Sequence, residues 1–345
     1  YNVRFAVSDA AGNSYTLSED VTVDTSSQAA NYALGSASDS GNNITDGITN
    51  DVNPIFIGTG EAGATVGITL LNANGGTVTT LSTIVGTDGE LSFAFSNVAE
   101  GAYTIKAEVT DQAGNTTTLA DYAFEVITTA PNLTWSIQED ADNSGIINES
   151  EYTDGAMTFV GTGDTGDTIT LLISGEEHTT TVDAGGDWQI VTPKLPDFDY
   201  IFQITAEDVA GNTTIVNDSI ILDAGLELSF WLTTASDTYY NLDNYTADVD
   251  PTFGFVTDIG STITITVTGA NTGYSHTETF TATSTQFTWQ APGTFADDVY
   301  SFSVDAIDQA LNTRSVTQTV TIDTDIGAQP GINVSGGTVD ADGVH

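Results

Sequence analysis

The sequence predicts an all-β chain of tandem β-sandwich domains, about seven strands each, set in an elongated array. Three observations carry that reading. One phrase occurs four times, starting at Tyr1 (YNVRFAVSDAAGN), Tyr103 (YTIKAEVTDQAGN), Tyr200 (YIFQITAEDVAGN) and Tyr300 (YSFSVDAIDQALN). Its hairpin Asp recurs at intervals of 102, 97 and 100 residues, which is the size of a sandwich domain and not of a solenoid turn. Short Thr/Val/Ile-rich segments alternate with Gly/Asp/Asn turns throughout, and no helical periodicity persists.

Within the phrase, Tyr103, Ile105, Ala107 and Val109 alternate with polar residues, the period of a strand with one buried face. Asp-x-Ala-Gly-Asn then closes a hairpin, since Gly and Asn tolerate positive φ and the Asp carboxylate bonds backbone amides. Taken in order, the second domain shows an opening strand over 133–137 and a strand before Gly161-Thr-Gly163. A third runs over 168–173, with shorter segments near 179–182 and 188–191, then the Tyr200 strand and a closing strand through 220–222. Seven strands in this order are immunoglobulin-like. The repeat divides the chain into residues 1–25 (last strands of an upstream repeat), three whole domains at 26–128, 129–224 and 225–325, and 326–345 (start of another repeat). The chain therefore reads as a segment of a longer array.

Composition narrows the function classes. Forty-eight acidic residues against four Lys and Arg give a net charge of −44, which disfavours nucleic acid and anionic membrane as partners. So acidic a fold repels itself unless cations or high salt neutralise it. The absence of Cys leaves no disulfide staple and points to metal ions in that role. Three His and no Cys remove zinc, iron–sulfur and blue-copper sites. No run of eighteen apolar residues is present for direct membrane insertion.

The acids recur in register. Glu61, Asp164 and Asp258 mark the turn before the third strand, and Glu100, Asp197 and Asp297 stand three residues ahead of each complete-domain Tyr. Asp24, Asp223 and Asp323 sit where one domain hands over to the next; at the first-to-second junction Val126 or Ile127 takes that place. Immunoglobulin-like order puts the second-to-third-strand turn and the Asp-x-Ala-Gly-Asn hairpin at the end facing the preceding domain. Asp24 is therefore expected to meet Glu61 and Asp111, and Asp223 to meet Asp258 and Asp308, as interdomain cation sites. The junction before domain two should bind more weakly or bend more.

The sharpest single motif is Asp140-Ala-Asp142-Asn-Ser144-Gly145-Ile146-Ile147-Asn148-Glu-Ser-Glu151. It fits the twelve-position calcium loop: oxygen side chains at 1, 3, 5 and 9, Gly at 6, a carbonyl from Ile146 at 7 and Glu151 at 12. Weaker counterparts run from Asp39 to Asp46, and from Asp237 through Asn241 and Asp243 to Asp248 and Asp250. The pattern reopens at Asp340-Ala-Asp342-Gly343. Ca2+ is the cofactor these residues imply.

The phrases Gly58-Thr-Gly-Glu-Ala-Gly-Ala-Thr-Val66, Asp111-Gln-Ala-Gly-Asn115 and Val21-Thr-Val-Asp-Thr25 resemble the bacterial immunoglobulin-like repeats of giant type I-secreted surface adhesins, of the RTX and biofilm-associated kind. The resemblance covers essentially the whole chain. It implies an extracellular, cell-surface stalk stiffened by calcium, whose partners are the neighbouring repeats and whose adhesive ligand is bound by another region. Two other readings stand beside it: a glycan- or ligand-binding sandwich, and accessory domains of a secreted hydrolase. Catalysis finds no single marked carboxylate pair, and His178, His276 and His345 lack a paired context. Trp135, Trp188, Trp231 and Trp289 fall in strand-like segments and read as core before sugar platforms.

Overall fold

The computed structural model describes residues 1–153, 155–238 and 243–325. Asn241 of the third acidic loop, and the Asp340–Gly343 phrase with the rest of 326–345, lie outside the described residues. The described residues form strands, turns and bends without a helix. None of the chain described is a helix long and apolar enough to cross a membrane. Two compact units hold them. One comprises Tyr1–Gln138, Thr158–Thr192 and Ile201–Ser219, and the other Glu139–Met157, Pro193–Tyr200 and the chain from Ile220 onward.

The first unit opens on a hairpin, Asn2–Ser8 against Ser14–Asp20, whose side chains are all exposed. A sandwich follows. One sheet orders Asn31–Leu34, Ile55–Thr59 and Glu90–Ala94. The facing sheet orders Ile48–Thr49, Tyr122–Val126, Gly101–Thr110, Thr65–Asn72 and Thr77–Ile84. Alternation sends Phe56, Leu91 and Phe93 inward from one layer and Val66, Ile68, Leu70, Ile105 and Val109 from the other. Phe56 stacks on Phe93 and meets Phe124 edge-on, each at 5.2 Å between ring centroids. Burying each such side chain stabilises the fold by about 1.5–3 kcal/mol. The same unit pairs Ser136–Ile137 with Thr158–Thr162, and the latter with Asp187–Val191. Thr168–Ile173 lies between Glu176–Thr181 and the 202–207 stretch of the Tyr200 strand.

In the second unit, Ile146–Asn148 runs parallel to the end of Thr213–Asp223, with Ile146 opposite Ile221 and Asn148 opposite Asp223. The third sandwich sets Leu228–Leu232, Thr252–Thr257 and Gln286–Gln290 over a five-stranded sheet. That sheet runs Tyr245–Thr246, Thr313–Ile322, Asp298–Ile307, Thr262–Gly269, Ser275–Thr281. Phe253, Phe255, Ile263, Ile265, Phe302 and Val304 are fully buried between the layers.

Two features escape sequence periodicity. Each sandwich has an extra strand of two or three residues (Ile48–Thr49, Ile146–Asn148, Tyr245–Thr246) paired parallel to the closing strand. Two residues are too few to register a period. The repeated Tyr also has a polar task. The hydroxyls of Tyr103, Tyr200 and Tyr300 donate to the carbonyls of Ala99, Pro196 and Ala296, at 2.8, 2.7 and 3.1 Å. Each bond pins the corner ahead of its strand, as in a tyrosine corner.

Candidate functional site

In all four hairpin turns the Asp carboxylate accepts the amide and the side-chain Nδ2 of the Asn four residues on, and Asp9 and Asp111 accept the intervening Ala amide as well. Asp111 Oδ1 accepts the amides of Ala113 and Asn115 at 2.9 and 2.8 Å, and its Oδ2 accepts Asn115 Nδ2 at 2.7 Å. These bonds hold its carboxyl below the usual carboxylate range, the Asn115 side chain contributing most. Positive φ falls on Gly12, Gly114 and Gly211, and in the fourth copy on Leu311 at 70°. The Asn does not take positive φ; its amide side chain, fixed by the Asp, is aimed at the linker.

There it makes the repeated contact that sequence reading assigned to the acid. Asn115 Nδ2 donates to the carbonyl of Asp24 at 3.2 Å, Asn212 to that of Ile127 at 2.9 Å, and Asn312 to that of Asp223 at 2.7 Å. Ile127 is thus the counterpart of the linker Asp. The acid ahead of each Tyr accepts linker amides from the other side: Glu100 from Thr128 and Thr129 at 3.1 and 3.0 Å, Asp197 from Ala224 at 3.1 Å, Asp297 from Thr324 at 2.9 Å. The acid of the turn before the third strand takes the amides further on. Glu61 accepts Gln28 at 3.4 Å, Asp164 accepts Asn132 at 2.9 Å and Asp258 accepts Glu227 at 3.0 Å. The linkers at Ile127 and Asp223 are gripped on their backbones from both ends, so the grip survives a change of linker side chain.

The first loop of a sandwich also reaches the next hairpin. In the first unit Ser40 Oγ donates to the Ala210 carbonyl at 2.5 Å, and a methyl on Gly41 would lie 2.1 Å from the Val209 carbonyl oxygen. In the second, Glu149 N donates to Asn312 Oδ1 at 2.7 Å, and Arg314 makes a two-pronged ion pair with Glu149 at 2.5 and 2.9 Å.

In the acidic loop, Asn143 and Gly145 take positive φ, bending the chain so that Asp140 Oδ1 and Asp142 Oδ1 each accept the Ser144 amide at 2.9 Å. The Ser144 hydroxyl and amide hold the Asp142 carboxyl below its usual range. Ser144 Oγ donates to the Ile146 carbonyl at 2.9 Å, and Glu151 Oε2 accepts the Asn148 amide at 3.0 Å. Positions 7 to 9 are a strand with Ile147 fully buried, which sets Asn148 beside the linker residue Asp223. Asp223's own carboxyl is pushed up, by burial first and then by Asp308, Asp197 and Asp258; the sequence expects Asp308 and Asp258 there and does not name Asp197. Asp39 and Asp237 are each only 3% exposed. Asp39 Oδ1 has no hydrogen-bond partner, and burial raises its carboxyl with Asp46 adding repulsion. Asp24 and Asp323 accept backbone amides just downstream, from Ser26 at 3.2 Å and Asp325 at 3.1 Å.

Oxygen donors of the kind a hard cation takes are therefore present, ordered, and in part buried without a partner. They do not stand as a closed shell: among the described residues no three His, Asp or Glu side chains are gathered into a metal-holding group. The carboxylates are turned onto the amides of their own loops and linkers instead, which meets the same need for positive partial charge.

Three of the four tryptophans pack inward as the sequence expects, and Trp231 does not. Trp188 and Trp289 are buried, Trp135 packs edge-on against Phe202 at 5.2 Å, and Trp231 lies across Gly254 at 41% exposure. His178 and His276 are half-buried on edge strands and not out in solvent; His345 lies outside the described residues.

These sandwiches and their repeated junctions define a tandem array of immunoglobulin-like domains. The chain belongs to the bacterial Ig-like domain family, which matches residues 26–128, 129–224 and 227–324. No curated protein matches the sequence. Among solved structures the chain is similar to a tetra-tandem repeat in the extending region of a large adhesion protein. That likeness has 21% identity, 94% of this chain and 81% of the other, and a TM-score of 0.38. It is also similar to a Ca2+-stabilized adhesin with which an Antarctic bacterium binds ice, at 25% identity over 93% and 80% of the two chains and a TM-score of 0.34. A third likeness is to a 1.5-MDa bacterial ice-binding adhesin, at 19% identity over 87% and 98% and a TM-score of 0.32.

Proposed function

We propose that this chain is a calcium-stiffened extender segment in the stalk of a large bacterial cell-surface adhesin, holding an adhesive region away from the cell. One observation carries the reading: three successive linkers are held on their backbones by the hairpin Asn at a carbonyl and by the acid of the turn before the third strand at an amide. A clamp of that kind restricts bending between neighbours and offers no substrate cleft. Calcium enters through the oxygen-rich loop from Asp140 to Glu151 and through the acids at the linkers, Asp24, Glu61 and Asp111 at one and Asp223, Asp258 and Asp308 at another. Bound there, it supplies positive charge to carboxylates that repel one another. The Asp39 and Asp237 loops and Asp323 are weaker candidates of the same chemistry. The boundaries at 26, 129 and 225, the type I secretion route and the surface location belong to this proposal.

A site with a dissociation constant one hundredth of the calcium concentration adds about 2.7 kcal/mol to its domain. Domains of this size hold about 5–15 kcal/mol in all. Calorimetric melting and small-angle scattering in millimolar calcium and in EDTA test the reading. The expected result is higher melting temperatures and a longer, less variable particle in calcium. Identical curves in both buffers would remove calcium from the account, and a specific hit on a glycan array would favour the ligand-binding alternative.

A further inference from the structure

We infer that the third sandwich carries a platform for a neutral polysaccharide on the outer face of its three-stranded sheet, centred on Trp231. The inference is independent of the calcium reading and goes beyond the stalk role, since it gives one domain of the segment a ligand of its own.

Strand register fixes which residues correspond. Phe56, Phe159 and Phe253 are fully buried and hold the same place in the three sandwiches. Each is paired on one side with a buried aliphatic of the opening strand, Leu34, Ile137 or Leu232. On the other side its partner is Phe93, Ile190 or Trp289. One residue away the side chains face outward. There the first two sandwiches pair a small residue with a branched one, Ala33 with Ile57 and Ser136 with Val160. The third pairs Trp231 with Gly254. A Cβ on Gly254 would stand 2.4 Å from both Cε2 and Cζ2 of the indole and 2.8 Å from its Nε1, so the ring lies on bare backbone. It keeps 41% of its surface exposed.

The strand on the far side of Gly254 changes in step. Where the first sandwich has Glu90 and Ala94, and the second Asp187 and Val191, the third has Gln286 and Gln290. Thr288 stands between them, opposite Gly254. The three strands of this sheet therefore contain no charged residue, in a chain of net charge −44. Both members of the Trp231–Gly254 pair cost stability: an exposed indole leaves apolar area in water, and a glycine inside a strand gives up packing. A ligand that uses the ring explains why the two occur together.

The chemistry selects a sugar. A pyranose presents an apolar C–H face, which stacks on the electron-rich face of an indole, and a rim of hydroxyls that donate and accept. The amides of Gln286 and Gln290 answer such a rim, since each offers both donors and an acceptor. Small-molecule sites are concave, whereas this face is an open sheet, which suits the side of an extended polymer. Anionic polymers are repelled by the charge of the whole chain.

The test is affinity electrophoresis of the whole chain through gels containing a neutral glucan, mannan or galactan, with polygalacturonate as the anionic control. The variants carry the second sandwich's own residues, Trp231→Ser, Gly254→Val and Gln286→Asp, each accommodated at the same place in a sister domain. At least one neutral gel is expected to retard the unaltered chain, and polygalacturonate is not. Trp231→Ser should weaken that retardation roughly tenfold or more, as truncation of a Trp anchor does. Gly254→Val, which lifts the ring, and Gln286→Asp should each weaken it several-fold. Tryptophan emission should shift to the blue on binding, and Trp231→Ser should abolish the shift. No retardation in any neutral gel, or retardation that all three variants leave unchanged, would overturn the assignment. So would a dimer in sedimentation that Trp231→Ser dissociates while no gel retards the chain, since the face would then belong to a second copy. Calcium-dependent melting should be the same in all four proteins. Its absence, with retardation intact, would sink the stiffening reading and leave this one standing.

Discussion

The linker before the second sandwich and the linker before the third are the same device with different side chains. Both are held by an Asn amide on a carbonyl, Asn212 on Ile127 and Asn312 on Asp223. Beyond that they diverge. At the first, Thr214 Oγ1 donates to the Pro131 carbonyl at 2.6 Å, and a buried acid sits at Asp167. At the second, the residue two beyond the Asn is Arg314, which leaves the linker and pairs with Glu149. The backbone contacts are repeated because any residue offers a carbonyl and an amide. The side-chain contacts vary because several chemistries can steady the same joint.

The largest expected effect tests the shared part. Asn212→Ala and Asn312→Ala each strand a linker carbonyl and one turn carboxylate oxygen, Asp208 Oδ2 or Asp308 Oδ2, costing about 1–3 kcal/mol. For a domain near 100 residues, each kcal/mol is about 4–8 °C of melting temperature. Losses at both junctions, seen by scanning calorimetry and larger for Asn312, which also accepts the Glu149 amide, would support one clamp; a loss at one alone would break the equivalence.

A smaller effect separates the two hairpins. Gly211 and Leu311 hold the same left-handed position, at φ of 84° and 70°. An L-residue with a Cβ is strained there by about 1–2 kcal/mol, while Gly loses about 0.5–1 kcal/mol more backbone freedom on folding. Leu311→Gly should therefore stabilise the third sandwich by up to about 1 kcal/mol. Gly211→Leu should cost more than that, since Gly41 N lies only 3.0 Å from an added Cβ. Urea midpoints of the two variants check the signs.

The smallest effect concerns salt. Arg314→Thr installs the residue of the second sandwich and removes an exposed ion pair that added salt screens. Sodium chloride screens the self-repulsion of so acidic a chain and should raise the melting of both proteins, by slightly more in the variant, which has no such pair for salt to weaken. No difference between them would mean that the pair contributes nothing to the joint.

Much of this was legible beforehand. The Tyr strand is written in its alternation, and the hairpin in Asp-x-Ala-Gly-Asn, because both are local: period two and one turn of chain contain the information. The acids that recur at fixed offsets are ones whose carboxylates accept linker amides. Which atom bridges was not legible. Asp111 and its counterparts spend their oxygens inside their own turns, and the Asn thereby freed makes the contact some ninety residues away. The twelve-residue acidic motif reads as one loop in the sequence, whereas three of its residues pair with the closing strand.

The sequence by itself determined the fold class, the repeat and the places where negative charge collects, since each is a matter of period, composition or spacing. Only tertiary structure decided which of those charges are buried and which are already answered by an amide. Ala64, Asp167 and Ser261 stand in register in the chain, three residues after Glu61, Asp164 and Asp258, and only the structure shows that the position they share is buried. Charge at that position matters because burial removes the water that would otherwise solvate it, and burial is a property of what packs around a residue.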